Sequence, residues 1–301
     1  MKNLCILSQS VMRILILMLF VIFEIESVSA QRINDSFIQS ACYITTFKLR
    51  DSILKPVAGS GFLVFVPVDT NGFGRVLLIT NKHVLPKPTE SKTITVKIPY
   101  KLENSFTFIQ FTVEIFNKSN ILNHNIRFHG DKNTDVAAID ITDIVNLRKL
   151  SLNPIHSSFL LKKSEYQTHN IGLGNEIFII GYPSSIYDEQ TASPIVRQGT
   201  IASYPYHDFY FNKSLLEKDS TLPNPLKGFL IDGSIFGGSS GSMVILKTSW
   251  EMTDPKRFAF VKEVNYILGI ISRNISIKNQ SLDIGIVFSS DNILEVINEF
   301  K

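Results

Sequence analysis

Three short segments of this chain carry residues able to do nucleophilic chemistry together. The first is Thr80-Asn81-Lys82-His83-Val84, with His83 just past an apolar run ending at Thr80. The second is Asn133-Thr134-Asp135-Val136-Ala137, with Asp135 at the mouth of another apolar run. The third is Gly237-Gly238-Ser239-Ser240-Gly241-Ser242, a hydroxyl framed by glycines before Met243-Val244. A serine hydroxyl is a weak nucleophile and needs a neighbouring base to take its proton. Histidine, with an ordinary pKa near 6.5, accepts that proton at neutral pH and returns it to a leaving amine. A carboxylate on the far imidazole nitrogen fixes the tautomer and stabilises the imidazolium. Glycines around the serine let backbone N–H groups turn toward a developing oxyanion, each donor being worth about 2.7–4 kcal/mol in the transition state. Asp131 and Asp140 are rival carboxylates beside Asp135.

These residues need a scaffold that ends strands near one another. From residue 40 onward the pattern is short β-rich runs between turns. Ser60–Val66 and Arg75–Thr80 flank a hairpin signal at Asn71-Gly72. Further strands are expected at 93–98, 107–115, 136–141, 176–180, 195–201, 242–246, 265–271 and 282–287. One helix is expected at the end, where Ile293, Leu294, Val296, Ile297 and Phe300 give a single apolar face after Ser289-Ser290-Asp291. Many short strands with one terminal helix predict an all-β sandwich or barrel fold. The polar stretch 146–170 reads as a connection between two halves, and 203–228, with Pro205, Pro223 and Pro225, as a long loop.

With those motifs in order, the chain resembles the chymotrypsin/trypsin-like serine peptidases. It looks closest to the bacterial periplasmic branch, the high-temperature-requirement proteases and their single-domain relatives. The match to Thr-x-x-His-Val is Thr80–Val84. The match to the aspartate motif is Thr134-Asp135-Val136-Ala137. The match to Gly-Asn-Ser-Gly-Gly is Gly238-Ser239-Ser240-Gly241-Ser242, with Ser242 in place of the second glycine. The flanks Ser60-Gly61-Phe62, Ile180-Gly181-Tyr182-Pro183 and Gly199-Thr200-Ile201-Ala202-Ser203 are similar to the family's strands. The resemblance implies two antiparallel six-stranded β-barrels, the first about 40–150 and the second about 165–290, with a C-terminal α-helix at 290–300. It implies catalytic His83, Asp135 and Ser240, and oxyanion donors on Gly238 and Ser240. It implies a primary pocket based on Ser234, with walls near Ile270–Arg273 that include Ile271. A small neutral Ser234 suggests an uncharged side chain at the cleavage position, and Arg273 could charge or close the pocket. The expected activity is a serine endopeptidase acting on protein or peptide substrates through an acyl-enzyme, with no metal and no cofactor. No peptide-binding domain of the PDZ kind is expected after the helix. The rivals are an inactive trypsin-like binding or sensing module, and an esterase using the same triad.

Composition agrees with a globular chain. The 301 residues carry 30 Lys plus Arg against 27 Asp plus Glu, a net +3 that gives no reason to expect nucleic acid. Mean hydropathy of +0.13 is high for a soluble protein. Part of it is local, because residues 1–30 combine Lys2 and Arg13, an apolar run Ile14–Phe23, and Val28-Ser29-Ala30. That run is too short to span a bilayer as a helix, and small residues precede a cut after Ala30, so a signal peptide is expected, the rivals being an uncleaved membrane anchor and an apolar core helix. The mature chain, 31–301, would then be periplasmic or extracellular without a stable membrane anchor. Cys5 would leave with the signal, and Cys42, in an alternating run, is expected to be a buried inert thiol. The histidines at 124, 129, 156, 169 and 207 show no convincing metal-ligand spacing and read as loop surface.

Overall fold

The computed structural model describes residues 33–69, 72–102, 105–247, 249–254, 259–277 and 280–300. The expected signal peptide and Asn71 of the expected hairpin turn lie outside the described residues. A short helix α1 (Asp35–Ser40) is capped by the Asn34 side chain, which accepts from the Ser36 N–H at 3.0 Å. It leads into strands β1 (Ala41–Arg50), β2 (Ile53–Pro67), β3 (Gly74–Thr80), β4 (Thr93–Leu102), β5 (Ser105–Glu114), β6 (Ile126–Phe128) and β7 (Ala137–Asp140). These pair antiparallel in the order β5-β4-β1-β2-β3-β7-β6, and the short β8 (Ile155–His156) runs parallel beside β2. Alternation along the strands turns one set of side chains inward. The resulting core includes Ile44, Leu63, Leu78, Val96, Val113 and Ile139, all essentially buried.

Helix α2 (Thr142–Leu147) and the 146–170 stretch then cross to a second lobe. There β9 (Glu176–Gly181), β10 (Ile195–Ile201), β11 (Gly228–Asp232) and β12 (Met243–Leu246) precede a two-stranded hairpin of β13 (Ser249–Asp254) and β14 (Ala259–Val264). Strands β15 (Ile267–Ile277) and β16 (Gln280–Ser289) complete a closed barrel in the order β10-β11-β16-β15-β12-β9. Closure removes the unpaired edges that an open sheet would expose. Its core is a separate cluster around Tyr166, Ile179, Phe229, Ile231, Val244 and Val287. The expected mostly β fold with a C-terminal helix holds: the second lobe closes as a six-stranded barrel, and where a first six-stranded barrel was expected the first lobe is an eight-stranded sheet.

The terminal helix α4 (Ser290–Asn298) buries Ile293, Val296 and Ile297. Its Ser289 N-cap makes no side-chain cap bond. Asn292 instead bridges back to the Ser289 carbonyl at 3.1 Å and the Lys227 carbonyl at 2.6 Å. The 203–228 stretch holds one short helix, α3 (Lys213–Lys218), and then runs beside β15. Cys42 is a free, fully buried thiol whose pKa burial raises well above the ordinary value, as expected of an inert cysteine.

Two glycines fix the junction of the lobes. Gly241 has φ of +90°, and a Cβ there would stand 1.8 Å from the Ser60 carbonyl oxygen. Gly181 leaves the space that the Ser242 side chain fills, since a Cβ on it would lie 1.8 Å from Ser242 Oγ. Ser242 is absent from the residues with positive φ, so the serine that replaces a glycine of the motif carries no backbone strain of that kind.

Candidate active site

β3 ends at Thr80, and the chain turns at once into a 3-10 turn, Lys82–Val84, that carries His83. The turn is tied down from behind. Asn81 Nδ2 donates to the Asp135 carbonyl at 2.6 Å, and Lys82 Nζ donates to the carbonyls of His129 (2.7 Å) and Asp131 (2.8 Å). Lys48 Nζ, from the β1–β2 ribbon, donates to the His83 carbonyl. Burial pulls the Lys48 and Lys82 ammonium groups below the usual lysine value, and Asp135 opposes this in both.

Asp135 sits two residues before β7, the strand paired to β3, and the Thr80–Ala137 pairing brings it against His83. Its Oδ2 lies 2.5 Å from His83 Nδ1 and its Oδ1 accepts the His83 backbone N–H at 3.1 Å. The Ser272 hydroxyl donates a third bond to Oδ2 at 2.8 Å. Burial pushes the Asp135 carboxyl up. The bond and charge of His83, the Ser272 hydroxyl and the His83 N–H outweigh it and hold the group below the usual carboxylate range. The rival carboxylates are engaged elsewhere. Asp140 pairs with Arg75 at 2.7 Å and accepts from Thr142, while Asp131 pairs with Lys227 at 3.2 Å.

Ser240 follows β11 and precedes β12, in a loop locked to the first lobe. The Ser60 N–H donates to the Ser240 carbonyl at 2.7 Å, and Ser60 Oγ donates to the Gly238 carbonyl at 2.7 Å. Ser240 Oγ donates to the carbonyl of Ser272 at 2.7 Å. Ser272 therefore touches both partners, through its hydroxyl to Asp135 and through its carbonyl to Ser240. A hydroxyl has one proton, so this bond and one donated to the His83 ring are alternatives for Ser240.

The loop before Ser240 is also defined. Gly238 has φ of +86°. The Gly237 carbonyl accepts from the Ser184 N–H at 2.5 Å and the Ser239 carbonyl from the Ser242 N–H at 2.9 Å. In a trans peptide the C=O and the following N–H point opposite ways. The N–H groups of Gly238 and Ser240 therefore point away from those partners, and among the described residues neither donates to another protein group. Arg197, from β10, braces the same loop by donating to the Ser234 carbonyl and, at 3.1 Å, to Ser239 Oγ, with its guanidinium over the Phe236 ring.

A cleft of about 540 Å³ opens beside His83 and Asp135. Its walls include Ser272 and Arg273 of β15, and Thr221 and Pro223 from the long loop. Ile271 does not line it: the side chain is fully buried in the second-lobe core with Leu268, and the register of β15 against β16 shifts between Ile271 and Arg273. Ser234 is exposed in the loop that Arg197 braces. His129, expected at the surface, is 5% exposed, with Nε2 2.8 Å from Glu295 of α4 and Nδ1 accepting the Asp131 N–H. The terminal helix covers it, which the local sequence could not show. Among the described residues no cluster of His, Cys, Asp or Glu could hold a metal.

Sequence reasoning missed Ser272, Asn81 and Arg197. The available signal for Ser272 was a polar residue directly after the buried run Ile267–Ile271. Its significance depends on what stands across the cleft.

Residues 59–253, about two thirds of the chain, match the family model described as "Trypsin-like peptidase domain". No curated protein matches the sequence significantly.

Proposed function

The chain belongs to the trypsin-like peptidase domain family, and on that premise we propose that it is a serine endopeptidase acting through an acyl-enzyme on Ser240. The observation that supports this most is the chain of contacts Ser240–Ser272–Asp135–His83, with Asp135 on His83 Nδ1 at 2.5 Å. That bond leaves the distal nitrogen, Nε2, as the basic one. Ser240 Oγ leaves the Ser272 carbonyl, donates to Nε2 and attacks the substrate carbonyl. The oxyanion is received by the free N–H groups of Gly238 and Ser240. The imidazolium, stabilised by a carboxylate held in its ionised form, protonates the leaving amine. Water then enters and the same base activates it to release the acyl group.

The reading extends to export. Residues 1–30 act as a signal peptide cleaved after Ala30, delivering the enzyme to the periplasm or outside the cell, and the motifs favour the high-temperature-requirement branch. Mass spectrometry of the secreted protein should give an N-terminus at Gln31.

A fluorophosphonate probe tests the nucleophile. Wild-type protein should be labelled once and Ser240→Ala not at all. Well-folded wild-type protein that resists labelling under every condition is a binding module, the reading favoured by the bond that holds the Ser240 proton on Ser272. Turnover of small esters with no cleavage of a peptide library would identify an esterase.

A further inference from the structure

The cleft beside His83 has an unbalanced charge. Three of its lining residues are cations: Lys82, Lys132 and Arg273. Its carboxylate, Asp135, is fully engaged, with Oδ1 on the His83 N–H and Oδ2 on His83 Nδ1 and Ser272. Lys82 is turned into backbone carbonyls and contributes only at a distance. Lys132 and Arg273 differ from it. Lys132 is exposed on the rim and, among the described residues, pairs with no carboxylate. The Arg273 side chain is 34% exposed, held by Thr221 Oγ1 at 2.8 Å and by Asp219 at the longer distance of 3.6 Å. Of the anions nearby, Asp131 is occupied by Lys227 and by the Asn133 N–H, and Asp219 by the Thr221 N–H and hydroxyl as well as by Arg273. The cleft floor is apolar, formed with Ile286, Phe288 and Pro223, and a charge pair beside such a surface is less screened than one in open water.

We propose that this cleft is a substrate subsite selecting an acidic side chain, Asp or Glu, close to the scissile bond, with Lys132 and Arg273 as its specificity-determining residues. This rests on the endopeptidase reading of the same site. A substrate carboxylate there meets Lys132, which pairs with no carboxylate among the described residues, and Arg273, which it would share with Asp219. A Lys or Arg in its place meets like charge, which supplies rejection as well as attraction. The subsite is distinct from the pocket expected at Ser234, so an uncharged residue at the cleavage position and an acidic one nearby are compatible. Lys132 and Arg273 lie 141 positions apart in sequence, and only the folding of the first lobe against the second brings them to the lining of one cleft.

The test is a fluorogenic positional-scanning peptide library read with wild-type protein, Lys132→Glu and Arg273→Gln. At one position wild type should prefer Asp or Glu over Asn or Gln by about tenfold in kcat/KM, the sum of two solvent-accessible ion pairs within their usual worth. Raising salt should shrink that ratio. Lys132→Glu should abolish or invert the preference, and Arg273→Gln should reduce it while sparing charge reversal in the cleft. No acid preference at any position, or one untouched by both substitutions, overturns the proposal. Fluorophosphonate labelling of the same samples reads the nucleophile separately, so labelled enzyme without acid preference refutes only the subsite. If wild type is neither labelled nor active, a random peptide library is selected by binding to Ser240→Ala and to Ser240→Ala/Lys132→Glu. Enrichment of Asp or Glu by the first and its loss in the second supports the subsite; its absence refutes it.

Discussion

Replacing Asp135 by Asn tests the site most sharply, because the change is isosteric and every partner of the carboxylate is a donor. Oδ1 accepts the His83 N–H at 3.1 Å; Oδ2 accepts from Ser272 at 2.8 Å and faces His83 Nδ1 at 2.5 Å. An amide offers one oxygen and one NH₂, so one end must set a donor against donors. With the NH₂ at the Oδ2 position, two charge-assisted bonds are lost at about 2 kcal/mol each. The alternative is for the imidazole to switch tautomer, placing its proton on Nε2, where it cannot take the Ser240 proton. Either outcome removes about 4 kcal/mol or more from the transition state, and loss of the carboxylate's charge beside the imidazolium adds to it. We expect kcat to fall about 10³–10⁴-fold, with KM changed much less because the interaction lost is the one that strengthens at the imidazolium of the transition state. The assay is steady-state turnover of a peptide or ester substrate, with circular dichroism to show that the fold is intact. A folded Asp135→Asn protein within about tenfold of wild type would refute the orienting role and, with it, the assignment of His83 as the base.

Further outcomes follow from the same geometry. Asp135 also makes stability depend on pH: its folded pKa lies below the unfolded value near 3.9, so its contribution is complete above that value. It is lost as pH falls toward the folded pKa, and thermal melts from pH 5 down to pH 2 should decline less steeply in Asp135→Asn than in wild type. Ser272→Ala removes one bond to the carboxylate but leaves the backbone carbonyl that holds Ser240, so kcat/KM should drop about tenfold with fluorophosphonate labelling still confined to Ser240. Gly181→Ala should lower Tm strongly, since its Cβ would lie 1.8 Å from Ser242 Oγ. Ser242→Gly should recover part of the loss, with a favourable coupling of about 1–3 kcal/mol in a double-mutant cycle. Arg197→Ala should reduce kcat more than KM by loosening the Ser234–Ser239 loop, and Arg197→Lys should rescue little, because a single ammonium cannot repeat the forked contact.

The sequence by itself determined most of the longer strands, the terminal helix and the order His83, Asp135, Ser240. Those features are local: β-branched alternation marks a strand wherever it lies, and a glycine-framed serine announces a tight loop. It also determined Cys42 as a buried residue within an alternating run. It did not mark β6, β8, β13 and β14, nor β11 (Gly228–Asp232), which follows directly on a proline-rich loop. Tertiary structure decided which side chains meet. It placed Ser272 between Asp135 and Ser240, turned Ile271 into the core, and sealed His129 under α4. It also set Arg273 beside the 203–228 loop and in the same cleft as Lys132. Each of these is a relation between segments far apart in the chain, fixed by strand register and by the packing of two lobes. No local periodicity encodes such a relation, so chemistry that depends on proximity became legible only once the two cores had closed.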